Sequence, residues 1–332
     1  MRLSRTLTLI GAGTVAILLC IFLSLALGSR SIDLAKVVGA LLDSGDVSFD
    51  ALVVRERIPR TIFSIIAGAS LGVSGALMQA ITRNPIADPA ILGVNSGAAL
   101  FVVTGIAFFQ INTAQKYILF ALAGAALTSA VVYRIGSLGS GGATPIKLAL
   151  AGAATSAALS SLVSMIVLPR VDAMNSYRFW QVGSVGGATW DGILAVLPFL
   201  AAGLVIGFLI TPALNALALG DDVATGLGVR VGAVRMIGAL AGVLLCGATT
   251  AIAGPIGFVG LMVPHTMRLL CGPNLKTIVP MSAVGGAVLL TSADVFGRLI
   301  GGVGEVEAGI ITAFFGAPVM IVIAIRTKVH KI

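Results

Sequence analysis

Charge is what this sequence has least of. Asp, Glu, Lys and Arg make up only 10% of its 332 residues, while 58% are hydrophobic. A soluble domain carries roughly 25% charged residues to cover its surface. The shortfall excludes a soluble globular chain, because most of the outer surface has to face lipid. Cysteine is also scarce. Cys20, Cys246 and Cys271 stand far apart, match no metal or redox spacing, and read as apolar fillers. The only histidines are His265 and His330, and no HExxH occurs. No GxxxxGK[ST] phosphate loop is present, so the chain does not bind nucleotide by that route. No uncharged window carries an ionisable residue at its centre, where a proton or ion relay would need one. An ion-coupled carrier is weakened, and an intramembrane hydrolase lacks a base. Energy for any transport has to come from a partner.

What remains is a polytopic all-α membrane chain with mean hydropathy +1.08. Its length allows about ten spans of roughly 20 residues each. Uncharged windows run over residues 6–28, 61–82, 89–115, 117–133, 148–169 and 192–220. The run from Met236 to Met267 is too long for one span. The Gly254-Pro255 pair divides it into spans near 231–252 and 255–271, since proline bends or ends a helix. Residues 277–293 and 308–325 supply the last two. Residues 1–28 have some features of a signal peptide, but their apolar stretch exceeds the usual 7–15 residues. A retained first helix is expected. The 42 glycines include Gly68/Gly72, Gly203/Gly207 and Gly238/Gly242 at GxxxG spacing, which predicts close helix contacts.

Ten spans put both termini on one side. That side gathers Arg2, Arg5, Arg83, Arg134, Lys147, Arg230, Arg235, Arg268, Lys276, Arg326, Lys328 and Lys331, against only Asp88, Asp221 and Asp222. The excess of Lys and Arg makes it the cytoplasmic side. The stretch LALGDDVATGLGVRVG (217–232) then becomes a cytoplasmic loop, polar and punctuated by glycine between apolar segments.

Several long motifs in register carry a resemblance. RIPRTIFSIIAGASLGVSGALMQAITRNPIADPAILGVNSGA (57–98), FWQVGS (179–184), LNALALGDDVATGLGV (214–229), GPIGFVGLMVPH (254–265), ADVFGRL (293–299) and GAPV (316–319) resemble permease subunits of ABC importers for ferric siderophores, haem and vitamin B12, the FecCD type. TRNPIADPAILGVN with RFWQVGS is most similar to the ferric-siderophore members, particularly the catecholate type. The resemblance implies one ten-span permease domain over residues 1–332, in the cytoplasmic membrane. It implies a second permease subunit, identical or paralogous, two ATPase subunits and an extracytoplasmic substrate-binding protein as partners, with membrane lipid around them and no nucleic acid. The chain itself would catalyse nothing and hold no cofactor or metal; ATP and Mg would sit on the ATPase.

The resemblance also assigns roles. Residues 213–229 match the loop that rests on the ATPase, with Leu217, Leu219, Gly220, Asp221, Asp222, Ala224, Leu227 and Gly228 at the contact. Asp221 or Asp222 is expected to cap a short helix starting at Val223, and Gly228 to end it. Apolar Leu217, Leu219 and Leu227 would meet a groove on the ATPase. The alternative is an ordinary turn with no partner. Asn84, Pro85 and Ile86 match an element closing the inner end of the pathway, or form a rigid turn that only sets helix angles. A second constriction formed in relatives by small hydroxyl residues is replaced here by Thr144-Pro145-Ile146. Arg57, Arg60 and Arg298 match arginines that receive acidic residues of the binding protein. The alternatives are headgroup arginines, or an Asp294–Arg298 pair one helical turn apart. Glu305 and Glu307 read as solvated loop charges. Tyr177, Phe179, Trp180 and Trp190 line an entrance or an interfacial belt, and His265 reads as a structural hydrogen-bonder. Two other readings stay open: a secondary carrier driven by an ion gradient, and a scaffold or export subunit.

Overall fold

The structure, a computed structural model, describes residues 2–43, 45–111, 113–139, 144–301 and 304–326. Lys328, His330 and Lys331 lie outside the described residues. Among these residues every regular element is helical: α1 (Arg2–Ala26), α2 (Leu34–Leu42), α3 (Phe49–Thr82), α4 (Val94–Phe109), α5 (Ala114–Gly136), α6 (Pro145–Val167), α7 (Val171–Val182), α8 (Trp190–Leu209), α9 (Thr211–Leu217), α10 (Asp221–Gly226), α11 (Val231–Ala253), α12 (Val259–Cys271), α13 (Leu275–Gly301) and α14 (Ala308–Arg326). A short 3-10 turn, Pro89–Leu92, precedes α4. Among the described residues seven helices are long and apolar enough to cross a membrane: α1, α3, α5, α6, α8, α11 and α13. Shorter apolar helices occupy Val94–Phe109, Val259–Cys271 and Ala308–Val322.

The helix α3 is the core element. Its 34 residues make a rod of about 51 Å at 1.5 Å per residue. The window 61–82 captured only its second part. The arginines before Thr61, expected in an outer loop, ride on helical turns begun at Ser48, whose hydroxyl accepts from Ala51 N. From Leu71 to Ile81 every residue of α3 is buried. Two spans meet it backbone to backbone. A Cβ on Gly68 would lie 2.2 Å from Gly286 O, and one on Gly72 2.1 Å from Ser282 O, both on α13. One on Gly75 would lie 1.9 Å from Gly260 O of α12. The Gly68/Gly72 spacing therefore brings two helix axes together as expected. The other two pairs face side chains: Leu245 opposite Gly203, Leu77 opposite Gly207, Ile81 opposite Gly238 and Met78 opposite Gly242.

Two segments outside the apolar windows are helical. One is α2, capped by Asp33 through Ala35 N, and the other is α7. The window 192–220 splits into α8 and α9 before Pro212, which sits in the first turn of α9. The break at Gly254-Pro255 is present, with Gly254 at φ 68° and Phe258 at φ 68° between α11 and α12. The span ending at residue 293 continues to Gly301, which turns Arg298 from a loop residue into a helical one.

The order of side-chain contacts fixes the chain direction. Gly13, Cys20 and Ser24 of α1 meet Val284, Ser292 and Arg298 of α13 in rising order, so the two helices run parallel. α14 turns back from the Val306 N to Gly297 O bond of 3.1 Å. The start of α1 and the end of α14 thus share one end of the bundle with the start of α13.

Candidate functional site

At that end lies the unit α9–α10. Leu214 and Leu217 of α9 are buried, and Asn215 fastens it to the α12–α13 turn by donating to Asn274 Oδ1 (3.0 Å) and accepting from Leu275 N (2.9 Å). Gly220 then turns at φ 113°, a conformation glycine adopts without strain. α10 begins at Asp221 and receives no side-chain cap, which corrects the expectation that Asp221 or Asp222 caps a helix starting at Val223. Its other end is capped as expected. Gly228 adopts φ 82°, Gly228 N donates to Thr225 O (2.9 Å), and Val229 N donates to Ala224 O (2.9 Å). This is the double-bonded glycine stop of a Schellman motif.

Asp221 does not cap because the helix begins at it, with Gly220 in the N-cap position; its carboxylate turns to Arg83 and Arg235 instead. Its Oδ1 accepts from the Arg83 guanidinium and from Arg235 Nη2 at 3.0 Å. Asp222 is exposed and takes part in no ion pair among the described residues. Of the apolar contact residues, Leu219 and Leu227 are 65% and 63% exposed, whereas Leu217 and Ala224 are fully buried. Leu217 belongs to the core and presents nothing outward. Val223, 49% exposed, was missed. Val223 and Leu227 stand four residues apart, an interval legible in the sequence, while Leu219 precedes the Gly220 turn.

The same ion cluster reaches the proline loop. Arg83 ends α3 in the left-handed region, φ 49°, and Asn84 follows it directly. Asn84 Oδ1 accepts from Ile86 N (3.1 Å), Pro85 is exposed, and Ile86 is 53% exposed. Asp88 Oδ1 accepts from Ala90 N (2.8 Å) to start the 3-10 turn. Burial pushes its carboxyl above the usual carboxylate range. The sequence did not reveal that the proline loop and α10 touch through Arg83 and Asp221, because 138 residues separate them. Thr144 caps α6 by accepting from Lys147 N (3.4 Å), and Ile146 is exposed.

The opposite end is held by the arginines expected to dock a partner. Arg57 Nη1 and Nη2 donate to Leu25 O (2.8 Å) and Arg30 O (2.7 Å). Arg60 binds Asp294 through Nε and Nη2 (3.0 and 2.8 Å) and Glu305 through Nη1 (2.7 Å). Arg298 donates to Ser24 O (3.0 Å) and Ser24 Oγ (2.9 Å), and pairs with Asp294 Oδ2 at 3.2 Å. Arg57 and Arg298 are buried, and the Arg60 side chain is 13% exposed. In this conformation the three guanidiniums tie α1, α3, α13 and the α13–α14 turn together. The alternative Asp294–Arg298 pair is present, and Glu305 is an ion-pair partner rather than a solvated charge.

Beside this network a broad cleft of about 810 Å³ opens between α7 and α14, lined by Arg178, Gln181, Val182, Ile310 and Phe314. Trp180 stacks on Tyr177 with ring centroids 6.1 Å apart, and Trp190 is exposed at the start of α8. The Phe179 side chain lies outside the described residues. His265 Nδ1 is buried without a hydrogen-bond partner among the described residues, so at that atom the hydrogen-bonding expectation is not met. Among those residues no three His, Cys, Asp or Glu side chains converge as a metal site would require.

Comparison with known proteins adds the following. The sequence model of the FecCD transport family matches residues 16–326. The chain is 44% identical over 270 residues to the probable siderophore transport system permease protein YfiZ of Bacillus subtilis, covering 81% of each. It is 42% identical over 305 residues to the ferric enterobactin transport system permease protein FepD of Escherichia coli, covering 92% of this chain and 91% of that one. Among solved structures, a metal-chelate type ABC transporter in an inward-facing conformation superposes with a TM-score of 0.84 at 26% identity, covering 97% of this chain and 99% of the other.

Proposed function

Because the chain belongs to the FecCD transport family, a family of multi-pass membrane permeases, we propose that it is the permease subunit of an importer for a ferric siderophore. In this reading ten helices cross the cytoplasmic membrane: the seven long ones with α4, α12 and α14. Both termini are cytoplasmic. A separate ATPase supplies the energy, an extracytoplasmic binding protein delivers the chelate, and a second permease completes the passage.

The observation that carries the reading is the α9–Gly220–α10 unit. It is anchored behind by Leu214, Leu217 and Asn215, stopped by a Schellman turn, and bare in front at Leu219, Val223 and Leu227. An exposed apolar stripe on a stiff support fits a groove on a soluble partner. Its ion pairs reach the Asn84-Pro85-Ile86 loop at the inner mouth. ATP binding and hydrolysis would move this unit and switch access from one side to the other, since only a ligand or partner that binds the two conformations differently can shift them.

The α7–α14 cleft, with Arg178 and Gln181 at its rim, offers half of a wide passage. The names of the relatives, siderophore and ferric enterobactin permeases, support an iron chelate as cargo. Docking of a binding protein through Arg60 would compete with Glu305, and through Arg57 or Arg298 would require these residues to leave their internal partners.

The test is reconstitution of the chain in vesicles with its ATPase and binding protein, with uptake measured for ferric catecholates, haem and vitamin B12. ATP-dependent uptake of a ferric siderophore is expected. Uphill uptake without the ATPase, abolished by an uncoupler, would instead establish an ion-driven carrier.

A further inference from the structure

A second cavity lies away from both polar ends. It occupies about 410 Å³ between α5 and α11 and is backed by Phe199 of α8, within the roughly 300–1,000 Å³ of small-molecule sites. Met236 and Leu240 form its α11 wall, and they are 54% and 61% exposed, so the cavity opens sideways from the bundle. Its lining is apolar except toward one end, where the last turns of α5 bring Ser129, Tyr133 and Arg134. That end is the one holding Asp221, because Met236 follows Arg235, which pairs with Asp221.

Two observations point to an occupant. Ser129 is 6% exposed, and its Oγ has no hydrogen-bond partner among the described residues. Ser129 lines the cavity, and its buried, unpartnered hydroxyl is brought to an acceptor there by a turn of χ1. Arg134 is exposed and forms no ion pair among the described residues, in contrast to Arg235 one helix away. From Ser129 to Tyr133 and Arg134 is about 6 to 7.5 Å along the helix axis at 1.5 Å per residue.

An apolar body, a buried donor and an unpaired cation in that order match an acyl chain, an ester carbonyl and a phosphate. We propose that the α5–α11 cavity binds one glycerophospholipid. Arg134 holds the phosphodiester, a group whose oxygens accept the guanidinium fork in pairs. The Ser129 hydroxyl donates to an ester carbonyl, and one acyl chain fills the space against Phe199, Met236 and Leu240. Tyr133 sits at headgroup level, where aromatic side chains are favoured. A helix from a second copy of this chain fits less well, since it would cover Arg134 and would have to bring a carboxylate into an apolar wall. The inference stands on the cavity alone and does not depend on what the chain transports.

The experiment uses the full chain reconstituted in phosphatidylglycerol vesicles containing a phosphatidylglycerol with a photoactivatable acyl chain. Labelling is mapped by peptide mass. α1 serves as the internal reference, because Val15, Leu18 and Leu19 are exposed and meet bulk lipid. Labelling of α5 and α11 should exceed that of α1 at least about fivefold. The excess should fall to the α1 level in Arg134→Gln and drop severalfold in Ser129→Ala, while the α1 signal stays unchanged. Equal labelling of all three helices, or an excess indifferent to both substitutions, would overturn the proposal. Ready disulfide dimerisation of Leu240→Cys with loss of labelling would overturn it too, in favour of a second copy.

Discussion

Arg83 and Asp221 join the last residue capping α3 to the first residue of α10, across 138 positions of sequence. Arg235 shares the same carboxylate oxygen. The proline loop and the apolar stripe of α10 are therefore neighbours through a single acidic side chain. Asp222, next in sequence, is exposed and outside the cluster.

This asymmetry gives the first prediction. Asp221→Lys faces two arginines and should lower ATP-driven uptake about tenfold or more, whereas Asp222→Lys should lower it less than threefold. Both variants should insert and melt like the parent, because a largely exposed ion pair contributes about 0–1 kcal/mol. Uptake and ATP hydrolysis measured together in vesicles check this: in Asp221→Lys, hydrolysis should persist while uptake falls.

Leu219, Val223 and Leu227 should behave differently from Leu217. Replacing any of the three exposed residues with Ser should weaken association with the ATPase by about 3- to 30-fold, the loss of about 0.7–2 kcal/mol of apolar contact, and leave the melting temperature unchanged. Leu217→Ala should instead destabilise the chain by about 2–5 kcal/mol, the usual consequence of emptying a buried leucine site. Pull-down with the ATPase and thermal unfolding in detergent separate the two effects.

Gly72→Ala places a methyl group 2.1 Å from the Ser282 carbonyl oxygen, a backbone atom that cannot swing aside. The helices α3 and α13 must part, and the expected loss is about 2–4 kcal/mol. Gly207→Ala meets the flexible tip of Leu77 at 3.2 Å and should cost less than about 1 kcal/mol. Comparison of the two melting curves checks the contact.

Asp294→Ala strands the Arg298 guanidinium, 2% exposed, whereas Arg60 keeps Glu305. A buried charge deprived of its partner destabilises by about 3–5 kcal/mol. Adding Arg298→Ala to Asp294→Ala removes the stranded charge, so the double variant should unfold at a higher temperature than the sum of the single losses predicts. A double-mutant cycle read by thermal unfolding measures the coupling.

The membrane class and the apolar windows were legible because lipid acts on whole helices, and a run of uncharged residues records its effect directly. The break at Gly254-Pro255 and the glycine stop at Gly228 were legible for a local reason: each is settled by backbone conformation within a few residues. The helical start of α3 was not, since Arg55, Glu56, Arg57 and Arg60 interrupt the apolar pattern while the helix runs on through them, even past Pro59, which has no N–H to donate. The fate of those arginines was hidden for another reason. Whether a guanidinium faces a partner protein or the carbonyls of Leu25 and Arg30 depends on how α1 folds back on α3, a relation between segments that spacing does not encode. Likewise Asp221 carries the right side chain for a cap, but the helix starts at Asp221 itself, with Gly220 in the N-cap position, and the carboxylate pairs with Arg83 and Arg235.

One unbroken rod runs from the arginine knot at Arg57 and Arg60 to Arg83 at the start of the proline loop. Between Arg57 and Arg83 the rod measures about 39 Å, so a tilt of only 5° about the midpoint swings each of those ends by about 1.7 Å in opposite directions. A nudge of hydrogen-bond size on one face of the membrane therefore arrives on the other at full amplitude, as on a seesaw, with no relay of side chains in between.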